Sequence, residues 1–348
     1  MIDRLNVRER SEDREDNLSI YAVKSRYSRG REREEEPCHI RTEFQRDRDR
    51  ILHTNAFRRL KHKTQVFIAP LGDHYVTRLT HTLEVSQVAR TIARALNLNE
   101  DLAEAISLGH DLGHTPFGHI GEDVLNEVYY GGFRHNEQSL RVVSLLEKNG
   151  LGLNLTWEVR DGILHHSKGE KSMFGSDWGL SNSFEAEVVK ISDAIAYINH
   201  DIGDAIRAGI LSEKDLPRES SELLGDSHSK RVNTMVTDIV ENSWPVSGQV
   251  AISGRPVIAM SADVGRATDQ LRKFMFERVY NVLSDNAVAR NARNVVRGLY
   301  GYLVNHEEKL PAEYISYSDE TERRVVDYIA GMTDRYALDL ALELRVQA

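Results

Sequence analysis

The chain is predicted to be mainly α-helical, and three observations predict it. Apolar residues recur at helical spacing through most of the sequence after about residue 42, helix-ending and helix-capping residues punctuate those runs, and only two short stretches alternate as strands do. From Thr42, the run RTEFQRDRDRILHTNAFRRLKH sets Phe44, Ile51, Leu52, Phe57 and Leu60 near one face. QVFI and HYVT, flanking Pro70-Leu71-Gly72-Asp73, predict a short β-hairpin. Helices follow at roughly 77–96, 100–112, 118–129, 135–148, 156–166 and 184–208. Asn99 is placed to cap the helix whose first turn holds Glu100 and Asp101, and Gly150 and Gly209 stand where helices should stop. QVAIS and RPVIAM about Gly254 suggest a second hairpin, after which helices are expected near 261–282, 288–305 and 318–345.

The first 41 residues are rich in Arg, Glu, Asp and Ser and predict a charged arm that is mobile or dependent on a partner. The expected organisation is therefore an arm at 1–41, a helical domain at 42–285 and a C-terminal helical extension at 286–348 packed on that domain. A net charge of −9 and a pI near 5.9 argue against a surface built as a whole to coat nucleic acid. The single cysteine, Cys38, rules out an internal disulfide, and no apolar run approaches the roughly 18 residues of a spanning helix. MIDRLNVRERSEDRED is charged from its third residue and has no apolar core of a secretion signal, so the expected setting is the cytoplasm, with no membrane partner.

The richest chemistry lies in GHDLGHTPFGHIGE, residues 109–122. His110 and Asp111 are joined there by His114, His119 and Glu122, while His81 lies upstream and Asp193 downstream, each on its own apolar-periodic helix. A carboxylate facing apolar neighbours without a partner would cost several kcal/mol or become neutral. Coordination of one divalent ion by His81, His110, Asp111 and Asp193 removes that cost for all four. Two imidazoles and two carboxylates favour Mn, Fe, Co, Ni or Zn over Ca, without choosing among them.

The longer pattern resembles the HD superfamily of metal-dependent phosphohydrolases, and within it the dGTPase-like deoxynucleoside triphosphate triphosphohydrolases. The resemblance is carried by FQRDRDRILHTNAFRRLKHKTQVF (44–67), TRLTHTLEVSQVAR (77–90), GHDLGHTPFGHIGE (109–122), FRHNEQS (133–139), ISDAIAYINHDI (191–202) and LRKFMFERVY (271–280). It implies an HD-domain helical bundle and a metal-dependent hydrolysis of dGTP or several dNTPs to deoxynucleoside and inorganic tripolyphosphate. His119 supported by Glu122 would move the proton, and His114 and His135 would contact the α-phosphate region. Arg59, Lys61 and Arg78 would meet phosphates, with Arg272 a weaker contact, and Gln65, Tyr197 and Asp201 would line the sugar, with Tyr280 a further candidate. Asp193, Tyr197 and Asp201 share one helical face, which supports a common pocket.

The resemblance further implies Mg accompanying the triphosphate, assembly into a homo-oligomer and an effector dNTP bound between subunits. One departure matters: some relatives carry a basic residue directly after the downstream metal aspartate, where this chain has Ala194, so terminal-phosphate contacts must come from elsewhere or be weaker, which leaves the preference among dNTPs open. Two other readings stand beside this one. One is another HD phosphohydrolase acting on nucleoside monophosphates, cyclic nucleotides or guanosine polyphosphates. The other is a nucleotide-sensing regulator with weak single-stranded DNA binding, motivated by Arg26, Arg29, Arg31, Arg33 and the RDRDR run at 46–50, whose interleaved acids weaken the field a phosphate backbone would feel.

Overall fold

A computed structural model describes residues 5–68, 74–167 and 181–346. The helices, in chain order, are α1 (Val7–Glu15), α2 (Glu43–Leu52), α3 (Asn55–Arg59), α4 (Arg78–Ala95), α5 (Glu100–Gly109), α6 (His119–Val128), α7 (His135–Arg141), α8 (Trp157–His165) and α9 (Phe184–Arg207). They continue as α10 (Arg218–Leu224), α11 (His228–Asn242), α12 (Ala262–Met275), α13 (Asn281–Ser284), α14 (Ala287–Asn305), α15 (Ala312–Ile315), α16 (Thr321–Ala330) and α17 (Asp334–Glu343). Asn99 caps α5 as expected, accepting from the backbone N–H of Asp101 at 3.1 Å and of Leu102 at 3.2 Å.

The mainly α class holds, but neither expected hairpin forms a ladder among the described residues. The first reduces to one antiparallel bridge, Thr64 to Thr77, and its Pro70–Asp73 turn lies outside the described residues. Residues 249–260 run without strand pairing. An isolated two-stranded ribbon buries too little to persist, so local alternation alone does not make one. The helix expected at 318–345 is two helices, because the Thr333 hydroxyl accepts from the Tyr336 N–H at 3.2 Å and starts α17 afresh. The one expected at 135–148 gives way after Arg141 to a π turn at Val142–Leu146, and Lys148 and Asn149 then take positive φ.

The chain divides into two compact units, each drawn from three separate stretches: residues 1–52, 82–110 and 154–275 form unit 1, and residues 53–81, 111–153 and 276–348 form unit 2. Unit 1 is built around α5, which packs against α2, α8 and α9 through Ile51, Leu102, Ile106, Val159, Ile163, Val188 and Ile191, all buried. Helices α5 and α8 approach closely because Gly109 and Gly162 lack side chains. A Cβ on Gly162 would stand 2.4 Å from Ile106 Cδ1, and one on Gly109 2.5 Å from Ile163 Cδ1. That approach fixes the C-terminal end of α5, where His110 sits.

The N-terminal stretch differs from the mobile arm its composition suggests. It carries α1, buries Glu12 and Glu15, and is tied into unit 1 by polar contacts. Glu15 accepts from the Ser25 N–H at 2.6 Å and hydroxyl at 2.7 Å. Arg31 bonds Glu43, Asp47 and the Asn154 carbonyl, and Asp47 in turn accepts from the Thr156 N–H and hydroxyl at 2.8 and 2.7 Å. Fully buried Glu185 on α9 accepts from the N–H groups of both Val23 and Asn99 at 3.0 Å through one carboxyl oxygen. Its other oxygen has no partner among the described residues.

Burial pushes the Glu185 carboxyl from 4.5 up to about 7, against the pull of those N–H groups. Between those values the folded chain holds a proton that the unfolded chain has released. The stability from this group is therefore complete below about pH 4.5 and is lost as pH rises through about 7. The loss amounts to about 3 kcal/mol. Glu185→Gln should abolish that slope, so in thermal denaturation from about pH 5 to about pH 8 the variant should gain on the parent. A melting-temperature difference independent of pH would refute this.

Unit 2 has its own core, in which Phe117, Val124, Leu125, Tyr129 and Phe133 pack with Val295, Val296, Leu299, Val326 and Ile329. Helix α14 thereby lies against α6, α16 and α17. The C-terminal helices are the platform on which α6, the bearer of His119 and Glu122, rests.

Candidate active site

The turn from Asp111 to Gly118 is held by close backbone packing and side-chain bonds within unit 2. A Cβ on Gly113 would fall 2.2 Å from the Ser139 backbone N and 2.6 Å from the His135 carbonyl oxygen, so only glycine fits there. The Gly113 N–H donates to the Ser139 hydroxyl at 2.8 Å. Phe117 and Gly118 both have positive φ, near 63° and 60°. Such a conformation costs a non-glycine residue about 1–3 kcal/mol and persists only where neighbours impose it. Here the Phe117 N–H donates to Asp334 at 2.9 Å and the Thr115 hydroxyl to the Gly118 carbonyl at 2.8 Å. The outcome is that His114 faces inward and His119 opens α6.

Around this turn unit 2 gathers seven of the residues expected at the site: Arg78, His81, Asp111, His114, His119, Glu122 and His135. Arg78 Nη1 donates to Asp111 Oδ2 at 2.7 Å, and His114 Nε2 is 3.7 Å from the other oxygen. His114 stacks on His135 at 4.1 Å and 16° and meets His119 edge-on at 5.2 Å. Glu122 joins the cluster, with His135 Nδ1 at 2.8 Å, His119 Nδ1 at 3.2 Å and the His135 backbone N–H donating at 2.8 Å.

The electrostatics assign the protons. Burial pushes the His114 imidazole well below its usual value, and the charges of Arg78 and His135 push it further, so it is neutral at pH 7. Burial alone would raise Glu122, but His135 and the bonds from both histidines hold its carboxyl far below the carboxylate range. An ionised Glu122 accepts from Nδ1 of His119 and so turns the opposite nitrogen outward, on a side chain that is about half exposed. His114 Nδ1, Gln65 Oε1 and the Nε and Nη2 atoms of Arg78 are buried without hydrogen-bond partners among the described residues. Buried polar atoms are normally satisfied, and a polar ligand is the natural remedy.

The four expected metal ligands divide between the units. Within unit 2, His81 Nε2 stands 3.9 Å from Asp111 Oδ2, and within unit 1, His110 Nε2 stands 3.9 Å from Asp193 Oδ1. Both separations exceed a hydrogen bond and suit two ligands of one divalent ion. The chain passes from one unit to the other at the His110–Asp111 peptide bond. His110 Nδ1 is 2.6 Å from the Ser107 carbonyl, which orients the ring and presents Nε2. His81, His110 and Asp111 are buried, whereas Asp193 is only partly buried and so opens to one side rather than facing apolar neighbours all round; two imidazoles and two carboxylates so placed fit a divalent transition ion.

Other expected residues fall elsewhere. Lys61 is exposed, and Arg59 lines a separate cleft in unit 2. In unit 1, Tyr197 lies edge-on to His200 at 6.0 Å, buried Asp201 is 2.9 Å from His200 Nδ1, and Arg272 is 3.8 Å from Asp269. Tyr280, in unit 2, closes the π turn Phe276–Tyr280 with its ring 5.0 Å from Phe276. The sequence gives no role to His166 or His200, and it groups Lys63 with the neighbouring cations without marking it as buried. His166 meets the His110 ring edge-on at 4.9 Å, His200 pairs with Asp201, and Lys63 is buried with its ammonium on the carbonyls of His114 and, at 2.8 Å, Ala330. His200 could have been found, since it adjoins a chosen aspartate, whereas His166 carried no signal beyond being the second of two histidines.

An HD domain matches residues 78–198, and a phosphohydrolase-associated domain matches residues 258–343. The deoxyguanosinetriphosphate triphosphohydrolase-like protein of Caldanaerobacter subterraneus subsp. tengcongensis is 57% identical over 337 residues, covering 96% of this chain and 94% of that protein. The chain belongs to the dGTPase-like family of HD-domain proteins. Similarly named proteins of Clostridium perfringens and Desulfatibacillum aliphaticivorans are 53% and 48% identical, over 92% and 96% of this chain and 91% and 96% of theirs. This HD phosphohydrolase has no helix, among its described residues, long and apolar enough to cross a membrane.

Proposed function

We propose that the protein hydrolyses deoxynucleoside triphosphates to deoxynucleoside and inorganic tripolyphosphate. The observation that carries this reading is the cluster of His114, His119 and His135 about ionised Glu122, set beside Asp111 and the unsatisfied atoms of Arg78 and Gln65. The names of the relatives agree with it. His81, His110, Asp111 and Asp193 would hold one divalent cation, which when bound supplies Lewis-acid polarisation of the α-phosphate and an acidified water.

The chain's own residues do the rest. Neutral His114, with His135 beside it, touches the α-phosphate oxygens, and Arg78 balances their negative charge. Water attacks the α-phosphorus, the bond to the 5′ oxygen breaks, and His119, steadied by Glu122, delivers a proton to the departing oxygen; the proton the water loses then replaces the one His119 gave. Gln65, Tyr197 and Asp201 read the sugar, where a bond to the 3′-hydroxyl places the ring and a tight wall at the 2′ position excludes a ribose. Assembly into a homo-oligomer with an effector dNTP belongs to the same proposal.

The single-stranded DNA reading draws less support. Arg26 pairs with Asp13, Arg31 with Glu43 and Asp47, and Arg46 and Arg50 with Glu35, all within unit 1, so much of their charge is already met. A substrate panel with manganese tests the proposal: dNTPs should be turned over, while nucleoside monophosphates, cyclic nucleotides and guanosine polyphosphates should not. Preferential turnover of any of the latter would replace this assignment with the other HD phosphohydrolase reading.

A further inference from the structure

Unit 2 contains a second polar cleft, of about 110 Å³, lined among others by Arg59, Lys63, Lys148, Glu147, Tyr314 and Asp327. Its charges are unevenly matched. The acids are already engaged: Asp327 accepts from Arg141, Arg323 and Gln138, and Glu147 accepts from the N–H groups of Ala56 at 2.8 Å and Asn55 at 3.3 Å. A third acid on the lining, Glu313, is exposed. The cations on the lining meet no carboxylate at ion-pair distance among the described residues. Arg59 has no carboxylate within ion-pair distance among the described residues, and its Nε is buried without a hydrogen-bond partner. Lys63 is 2% exposed, and both its acceptors are neutral carbonyls.

We propose that this cleft is a binding site for one tetrahedral oxyanion, either inorganic phosphate or the terminal phosphoryl group of a larger phosphate. An arginine fork and an ammonium with a third N–H to give are the donors such an anion takes. Burial, followed by the charges of Arg59 and Arg78, drives the Lys63 pKa well down, and a bound anion would oppose that drift and keep the ammonium charged. The volume equals a few waters, which suits one phosphate group and excludes a whole nucleotide. The site does not depend on the reaction assigned above, since none of the histidines of the cluster lines the cleft.

Isothermal titration at low ionic strength tests it in an Asp193→Ala background, where binding of phosphate through a cation at the main site is removed. The probes are inorganic phosphate, tripolyphosphate and dGTP. One phosphate should bind per chain, and adding Arg59→Gln should weaken it about tenfold. Should that variant fail to fold by circular dichroism, Lys148→Ala, at an exposed position, should weaken binding roughly threefold. Equal affinity for phosphate and tripolyphosphate identifies the free ion as the ligand, and tighter tripolyphosphate or dGTP identifies a terminal phosphoryl group. No phosphate binding, or binding unchanged in folded Arg59→Gln, overturns the proposal.

Discussion

Asp193→Ala is expected to lower kcat by at least about a thousandfold while leaving the helical circular dichroism unchanged. The estimate follows from what a bound cation contributes to phosphoryl chemistry, several kcal/mol of charge stabilisation, of which about 4 kcal/mol already corresponds to a thousandfold. Asp193 projects from α9, whose buried face of Val188, Val189, Ile191, Ile195 and Ile198 anchors the helix independently of the carboxylate. Removing the side chain should therefore cost metal and little fold. The check is a paired one, elemental analysis beside turnover: both should fall together. Activity retained with metal absent would sever the link between this aspartate and the chemistry.

His119→Ala is expected to do the opposite, keeping the metal and losing about a hundredfold to ten-thousandfold in kcat. His119 is half exposed at the first turn of α6 and bonds Glu122 at 3.2 Å, so the truncation removes a proton carrier rather than a ligand. With substrate contacts intact, KM should move little, the pattern of an interaction realised only in the transition state. Turnover near that of the parent would show that the proton travels by another route, with His135, also bonded to Glu122, the next group to replace.

These expectations rest on residues that the sequence marks clearly, and the reason is physical. The helix carrying Asp193 and the capped helix ending at His110 have long apolar faces, so their polar exceptions stand out. The cluster of histidines is legible because it is compressed into one turn and the helix after it. Legibility fails where the backbone leaves regular periodicity. Arg59, Lys61 and Lys63 fall in a short helix, a 3-10 turn and a bend, so no single helical wheel predicts that Lys63 is buried and Lys61 is exposed. Composition predicts an N-terminal arm that is mobile or dependent on a partner, yet Glu15 is buried because Ser25 answers it at hydrogen-bond distance, a pairing that composition does not encode. The hairpins were over-read for a related reason: alternation in QVFI and HYVT is a local signal, and a ladder needs a third surface to cover it.

In the proposed reaction, water breaks the bond between the α-phosphorus and the 5′ oxygen of a deoxynucleotide. Phosphorus NMR of dGTP incubated with the manganese-loaded protein tests it most directly. Tripolyphosphate and deoxyguanosine should appear together in equal amounts from the first turnover. Pyrophosphate or orthophosphate as the first phosphorus product, with dGMP or dGDP remaining, would contradict it.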